Sequence, residues 1–205
     1  MRTRHLIACG LAALSLLAAG CSEEEASESG SAGKQEESGA NELQQDPAAE
    51  QPVLTLVTAL GCGLIAGVFF AFSSFVMAAL KRLPSAQGIA AMQSINVLAV
   101  TPAFMTALFG TAAACLGLVV WVVISSDGRT TVLVLAGCAL YLVGTIGVTM
   151  ACNVPLNNML AQLHPRGTEA AGRWDRFVTG WTAWNHVRTV AALAAAATLT
   201  VALHV

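Results

Sequence analysis

The stretch Val53-Leu-Thr-Leu-Val-Thr-Ala-Leu-Gly-Cys-Gly-Leu-Ile-Ala-Gly67-Val-Phe-Phe-Ala-Phe-Ser-Ser-Phe-Val-Met77-Ala-Ala-Leu80 carries no charged residue over 28 positions. An α-helix rises about 1.5 Å per residue, so roughly 20 apolar residues cross a bilayer core. This run predicts a transmembrane helix with residues to spare, which tilts or starts late. In lipid the backbone must satisfy its own hydrogen bonds, which makes the segment helical. Three more apolar runs follow: Thr101 to Ile124, Thr131 to Cys152, and Trp184 to Leu203. With short connections they predict an all-α fold, a four-helix transmembrane bundle of up-down topology.

Polar punctuation divides the runs. Lys81-Arg82 stops the first span and Pro84 ends its helix. Ser85 to Val100 places Ile89, Met92, Ile95 and Ala99 at helical spacing, as an interfacial helix or the early part of the next span. Gln93 and Asn96 are expected on its solvated face. Ser125 to Arg129 is a turn, and Asn153 to Gly180 is the longest loop. Gly63-x-x-x-Gly67, continued by Ala71, predicts close packing against another helix. Phe69, Phe70, Phe72 and Phe75 are expected to pack against neighbours or lipid.

The composition agrees with a membrane protein: 56% hydrophobic and 11% charged, where a soluble globule carries about a quarter charged residues. Ser22 to Pro52 holds nine of the twelve acids and only Lys34 as a base. Such a segment cannot bury enough apolar surface to fold and reads as a disordered acidic tether. Met1 to Cys21 reads as an export signal: Arg2 and Arg4, an apolar core from Leu6 to Leu17, then Leu17-Ala-Ala-Gly-Cys21. That ending resembles a lipoprotein processing box, with Cys21 as the acylated mature N-terminus. The expected organisation is residues 1–21 signal, 22–52 tether and 53–205 membrane domain.

Orientation follows from charge. With the tail outside, the inside loops hold five basic residues (Lys81, Arg82, Arg166, Arg173, Arg176) and the outside segments two (Lys34, Arg129). This satisfies the positive-inside rule for a multi-pass protein of the cytoplasmic membrane. The bilayer is thus the first expected partner. Nucleic acid is disfavoured, since the basic residues are few and form no stripe. The sequence is compatible with a homo-oligomer. A transporter is disfavoured for want of broken central helices or paired intramembrane charges.

The cysteines form no CxxC, and Cys62, Cys115, Cys138 and Cys152 read as small buried hydrophobes. No HxxxH or ExxH pattern suggests a metal, and no second histidine suits a bis-His haem with His186. No cofactor is expected.

Two polar clusters interrupt the apolar chain: Asn153-Val-Pro155-Leu-Asn157-Asn158 and Trp181-Thr-Ala-Trp184-Asn185-His186-Val-Arg188-Thr189. On a helix, Trp181, Trp184, Asn185 and Arg188 are spaced i, i+3, i+4, i+7 and share one face. Both clusters fall at the cytoplasmic ends of adjacent antiparallel spans. They predict one cytoplasm-facing site of Asn153, Asn157, Asn185, His186 and Arg188, walled by Trp181 and Trp184. Taken singly the residues have structural readings: an aromatic belt, a snorkelling arginine, capping asparagines and a terminating Pro155.

Four separated motifs occur in order: Gly67-Val-Phe-Phe-Ala-Phe-Ser-Ser-Phe-Val-Met77, Leu83-Pro84 with Gly88-Ile-Ala-Ala-Met92-Gln93-Ser-Ile-Asn96, Asn153-Val-Pro-Leu-Asn157, and Trp184-Asn185-His186-Val-Arg188-Thr189. Over about Val53 to Val205 the chain resembles a bacterial integral-membrane family of uncharacterised function that also contains the fungal anthrone oxygenases. The resemblance implies cofactor-independent oxygenation of an anthrone-like polyphenol to a quinone. That chemistry needs a base, an oxyanion stabiliser and an aromatic slot. The expected roles are His186 as base, Arg188 with Asn157 or Asn185 on the phenolate oxygens, and Trp181, Trp184 and Asn153 around a small aromatic substrate. The competing class is a non-enzymatic bundle that binds a lipid, a quinone or a partner protein in the same pocket.

Overall fold

The computed structural model of the protein describes residues 47–125 and 128–205. The expected signal peptide, Cys21, most of the acidic tether and the centre of the Ser125 to Arg129 turn lie outside the described residues. All regular elements among the described residues are helical. The first rod joins α1 (Pro47–Ala71), a π-helical turn (Phe72–Val76) and α2 (Met77–Lys81). Then come α3 (Ser85–Leu98) and α4 (Pro102–Ser125). Another rod joins α5 (Gly128–Ala139), π-helical segments Leu140–Gly147 and Thr149–Asn153, and α6 (Val154–Ala161). The last helix is α7 (Ala170–Ala202).

Among the described residues three stretches are long and apolar enough to cross a membrane: Gln51–Lys81, Pro102–Ser125 and Thr130–Ala161. The expected fourth span is helical but is not among them. Asn185, His186 and Arg188 fall within its apolar run and dilute it. The long loop also contracts. Residues 154–161 and 170–180 are helical, leaving 162–169 as the connection. Pro155 does not terminate a helix as expected. It sits in the first turn of α6, where a missing N–H is tolerated, directly after the wide turn at Thr149–Asn153.

The segment after Pro84 is a separate helix. The amides of Gln87 and Gly88 donate to the Pro84 carbonyl at 2.8 and 3.0 Å. Gln93 is not merely solvated: its Nε2 donates to the carbonyls of Leu160 (2.8 Å) and Leu163 (2.9 Å), closing the end of α6.

Small residues bring α7 against the α5–α6 rod. A Cβ at Gly144 would stand 2.5 Å from the Ala191 Cβ, and one at Gly137 2.8 Å from the Leu199 Cγ. The expected packing motif does not do this, because added Cβ atoms at Gly63 and Gly67 meet nothing within 4 Å. Cys62, Cys115 and Cys138 are buried free thiols and Cys152 is half-buried.

Two apolar cores form, and α7 runs through both. One contains Ile65 and Phe69 from α1, Leu118 from α4, Tyr141, and Ala192, Ala195 and Leu199 from α7. The other contains Met77, Ile89, Met92, Leu160, and Trp174, Phe177 and Trp181 from α7. Between them on α7 lie the buried polar residues Asn185, Arg188 and Thr189. The fold thus holds a polar layer between two dry ones.

Candidate functional site

A helix turns roughly 100° per residue, and α7 buries only a narrow sector. Trp181, Asn185, Arg188 and Thr189 fall inside it. Trp184, at the edge, is 43% exposed. His186, far around the helix from Arg188, is also exposed. The structure therefore brings Trp181, Asn185 and Arg188 together but leaves Trp184 and His186 facing outward.

Asn185 is the hub. Its Nδ2 donates to the Phe69 carbonyl at 2.7 Å and to the Ser73 Oγ at 2.6 Å. Its Oδ1 accepts a hydrogen bond from Arg188 Nη2. Arg188 Nη1 donates to Thr149 Oγ1 at 3.2 Å. The guanidinium carbon lies 4.1 Å from the Phe69 ring centroid and 5.3 Å from that of Trp181. Aromatic faces are negative and attract the cation. Phe72 packs against Trp181, with ring centroids 5.8 Å apart.

Asn153 and Asn157 join from the α5–α6 rod. Asn153 Nδ2 donates to the Trp181 carbonyl at 3.3 Å. Trp181 Nε1 donates to Asn157 Oδ1 at 2.8 Å, fixing the indole plane. With Thr145 and Thr149 these asparagines form a row at four-residue spacing.

Thr145 and Thr149 were legible only as polar positions in an apolar run. Ser73, Phe69 and Phe72 lie in the Gly67 to Met77 motif of the resemblance, but no site role was expected of them. The wide turns matter here: Ser73 lies in the first, Thr145 in the second, and Thr149 and Asn153 in the third. A π turn holds an extra residue and re-aims its side chains, and such turns recur at functional sites.

The electrostatics are unusual. Arg188 is 5% exposed, and among the described residues no Asp or Glu pairs with it. Burying a cation without an anion is expensive. The guanidinium has five donors, and its buried Nε has no partner. Thr145 Oγ1 and Asn153 Oδ1 are likewise buried without one. Most buried polar groups in proteins are satisfied, so these open positions, a cationic donor among them, are candidate ligand contacts. Among the described residues no group of three or more His, Cys, Asp or Glu side chains is placed to hold a metal.

Comparison with curated proteins and with solved structures yields no match. A protein-family model described as anthrone oxygenase matches residues 101–198. The matched stretch holds Thr149, Asn153, Asn157, Trp181, Asn185 and Arg188. It leaves out the α1 stretch with Phe69 and Ser73, which the motif resemblance had included. Residues 101–198 are thus similar to the anthrone oxygenase family, within a chain whose apolar helices are those of a membrane protein.

Proposed function

We propose that the protein oxygenates an anthrone-like phenolic substrate without a cofactor, at the Arg188 cluster, in the cytoplasmic membrane. The observation that carries this reading is the buried guanidinium with no Asp or Glu partner among the described residues, flanked by Phe69 and Trp181. In this reading α7 completes a four-helix bundle. The acidic tail lies outside, with Cys21 lipidated, and the cluster opens toward the cytoplasm.

The chemistry requires an anion more than a buried base. An anthrone is in equilibrium with its phenolic enol, which loses a proton to water to give a delocalised anion. Arg188 favours that charged form. Asn185 and Thr149 hold the guanidinium in place, so no reorganisation is needed as charge moves. Trp181, fixed by Asn157, and Phe69 bracket the ring system.

The carbanionic carbon gives one electron to dioxygen, and the resulting pair combines to form a C–O bond. The peroxide takes up a proton, loses the remaining hydrogen on that carbon as a proton, and cleaves its O–O bond. One oxygen stays as the quinone carbonyl and the other leaves as water. His186, exposed on the outer face, has no part in these steps. With water taking the proton and Arg188 stabilising the anion, no imidazole base is required.

The test is dioxygen uptake by detergent-solubilised protein given anthrone, with chelator present and no added flavin. The expected result is one dioxygen consumed per quinone formed, well above the spontaneous rate. Uptake no faster than the spontaneous reaction with a folded protein would overturn the reading.

A further inference from the structure

Away from the polar layer, three thiols meet in the first apolar core. Cys62 comes from α1, Cys115 from α4 and Cys138 from α5, and all three are fully buried in the cluster that holds Ile65, Leu118 and Ala195. The Cys115 thiol is in hydrogen-bond contact with those of both Cys138 and Cys62. Neighbouring contacts hold the three helices in this register. The Tyr141 hydroxyl, one turn beyond Cys138, donates to the Leu108 carbonyl of α4 at 3.0 Å. A Cβ on Gly61, next to Cys62, would strike the Thr111 side chain, one turn before Cys115. Buried free cysteines ordinarily serve as separate small hydrophobes. Here Cys115 touches a thiol from each of two other helices.

We infer that Cys115 and Cys138 form a redox-modification site within the apolar spans, oxidised to a disulfide by an apolar organic hydroperoxide. A disulfide holds its sulfurs about 2 Å apart, and thiols already in contact reach that geometry by small side-chain rotations. The Cys115 sulfur attacks the hydroperoxide and breaks its O–O bond. The sulfur takes the terminal OH, and its thiol proton goes to the departing alkoxide, giving an alcohol and a sulfenic acid. The Cys138 sulfur then displaces that OH, which leaves as water with the Cys138 proton. The two thiols lose two electrons and the peroxide gains them. Cys138 is the partner because its helix is pinned to α4 by the Tyr141 bond, and Cys62 keeps its thiol. The dry core selects the oxidant: thiols away from water react slowly, so the oxidant must concentrate in the apolar phase, which hydrogen peroxide does not. The bond would tie α4 to the rod that carries Thr145, two turns beyond Cys138. This inference is independent of the oxygenase reading.

The test exposes the full chain in lipid nanodiscs to cumene hydroperoxide or to hydrogen peroxide at equal concentration. The protein is then denatured, alkylated with N-ethylmaleimide and mapped by peptide mass spectrometry without reduction. The expected result is a peptide linking Cys115 to Cys138, two hydrogens lighter than its separate thiol halves and released by dithiothreitol. Cumene hydroperoxide should form it about ten-fold or more faster than hydrogen peroxide, because it partitions into the apolar phase. The same link should form in Cys62→Ala. Recovery of Cys115 and Cys138 as alkylated thiols after prolonged oxidation of the unaltered protein overturns the inference without any variant. So does a link from Cys115 to Cys62 in its place, or hydrogen peroxide acting as fast as cumene hydroperoxide. Loss of the link from a folded Cys62→Ala protein overturns the two-thiol step.

Discussion

Asn185 and Phe69 are joined across 116 residues of sequence by a 2.7 Å hydrogen bond from the Asn185 amide to the Phe69 carbonyl. The same Asn185 side chain accepts from Arg188, whose guanidinium lies over the Phe69 ring. One amide therefore sets both the spacing of α7 from the first rod and the position of the buried charge.

Asn185→Leu removes that hub. It leaves the Phe69 carbonyl, the Ser73 hydroxyl and one arm of Arg188 without their partner. Loss of a buried network of this kind costs about 2–4 kcal/mol. Denaturant or thermal unfolding in detergent should show a fall of that size, with activity lost. Asn185→Asp places a carboxylate beside Arg188, which has none against it among the described residues. It should unfold at a higher temperature than Asn185→Leu yet remain inactive, because the internal anion neutralises the charge that would hold the substrate's oxyanion.

His186→Gln should leave turnover within about three-fold of the unaltered protein, since a solvated side chain outside the network contributes little. Trp184→Phe should behave alike. Steady-state dioxygen uptake is the check, and a loss of two orders of magnitude in His186→Gln would restore the imidazole as the base.

The glycines should separate sharply. Gly144→Ala drives a methyl into Ala191 and should destabilise by about 1–3 kcal/mol. It should also lower activity, because Ala191 is one turn from Arg188. Gly63→Ala and Gly67→Ala meet open space and should be neutral or slightly stabilising, by up to about 1 kcal/mol, as a helical glycine is relieved. Thermal unfolding of the three variants distinguishes these outcomes.

Much of this was legible in the sequence, for identifiable reasons. Asn153, Asn157, Trp181, Asn185 and Arg188 stand out because polar groups among apolar ones need partners, and the structure brings these five together. Ser73 and Thr149 did not stand out. Hydroxyls in apolar helices commonly bond to their own backbone, as Thr149 does to the Thr145 carbonyl at 2.7 Å, so their presence predicts nothing. The π turns leave no trace in a 3.6-residue periodicity. They explain why Pro155 could be passed without ending its rod, and why the Asn153 side chain meets α7. Helical spacing put Trp184 on the functional face, but the buried sector is narrower than the spacing rule allows for. Gly63 and Gly67 had the right spacing for packing, yet nothing in a pattern says which face a neighbour occupies.

The most direct measurement of the central claim compares kcat/KM for anthrone oxygenation in the unaltered protein and in Arg188→Gln. Glutamine retains a donor for Asn185 or Thr149 and removes a buried charge, so folding should survive. The account predicts a fall of about 100-fold or more, corresponding to at least ~2.7 kcal/mol of lost transition-state stabilisation. A folded Arg188→Gln that turns over anthrone at the unaltered rate would contradict it.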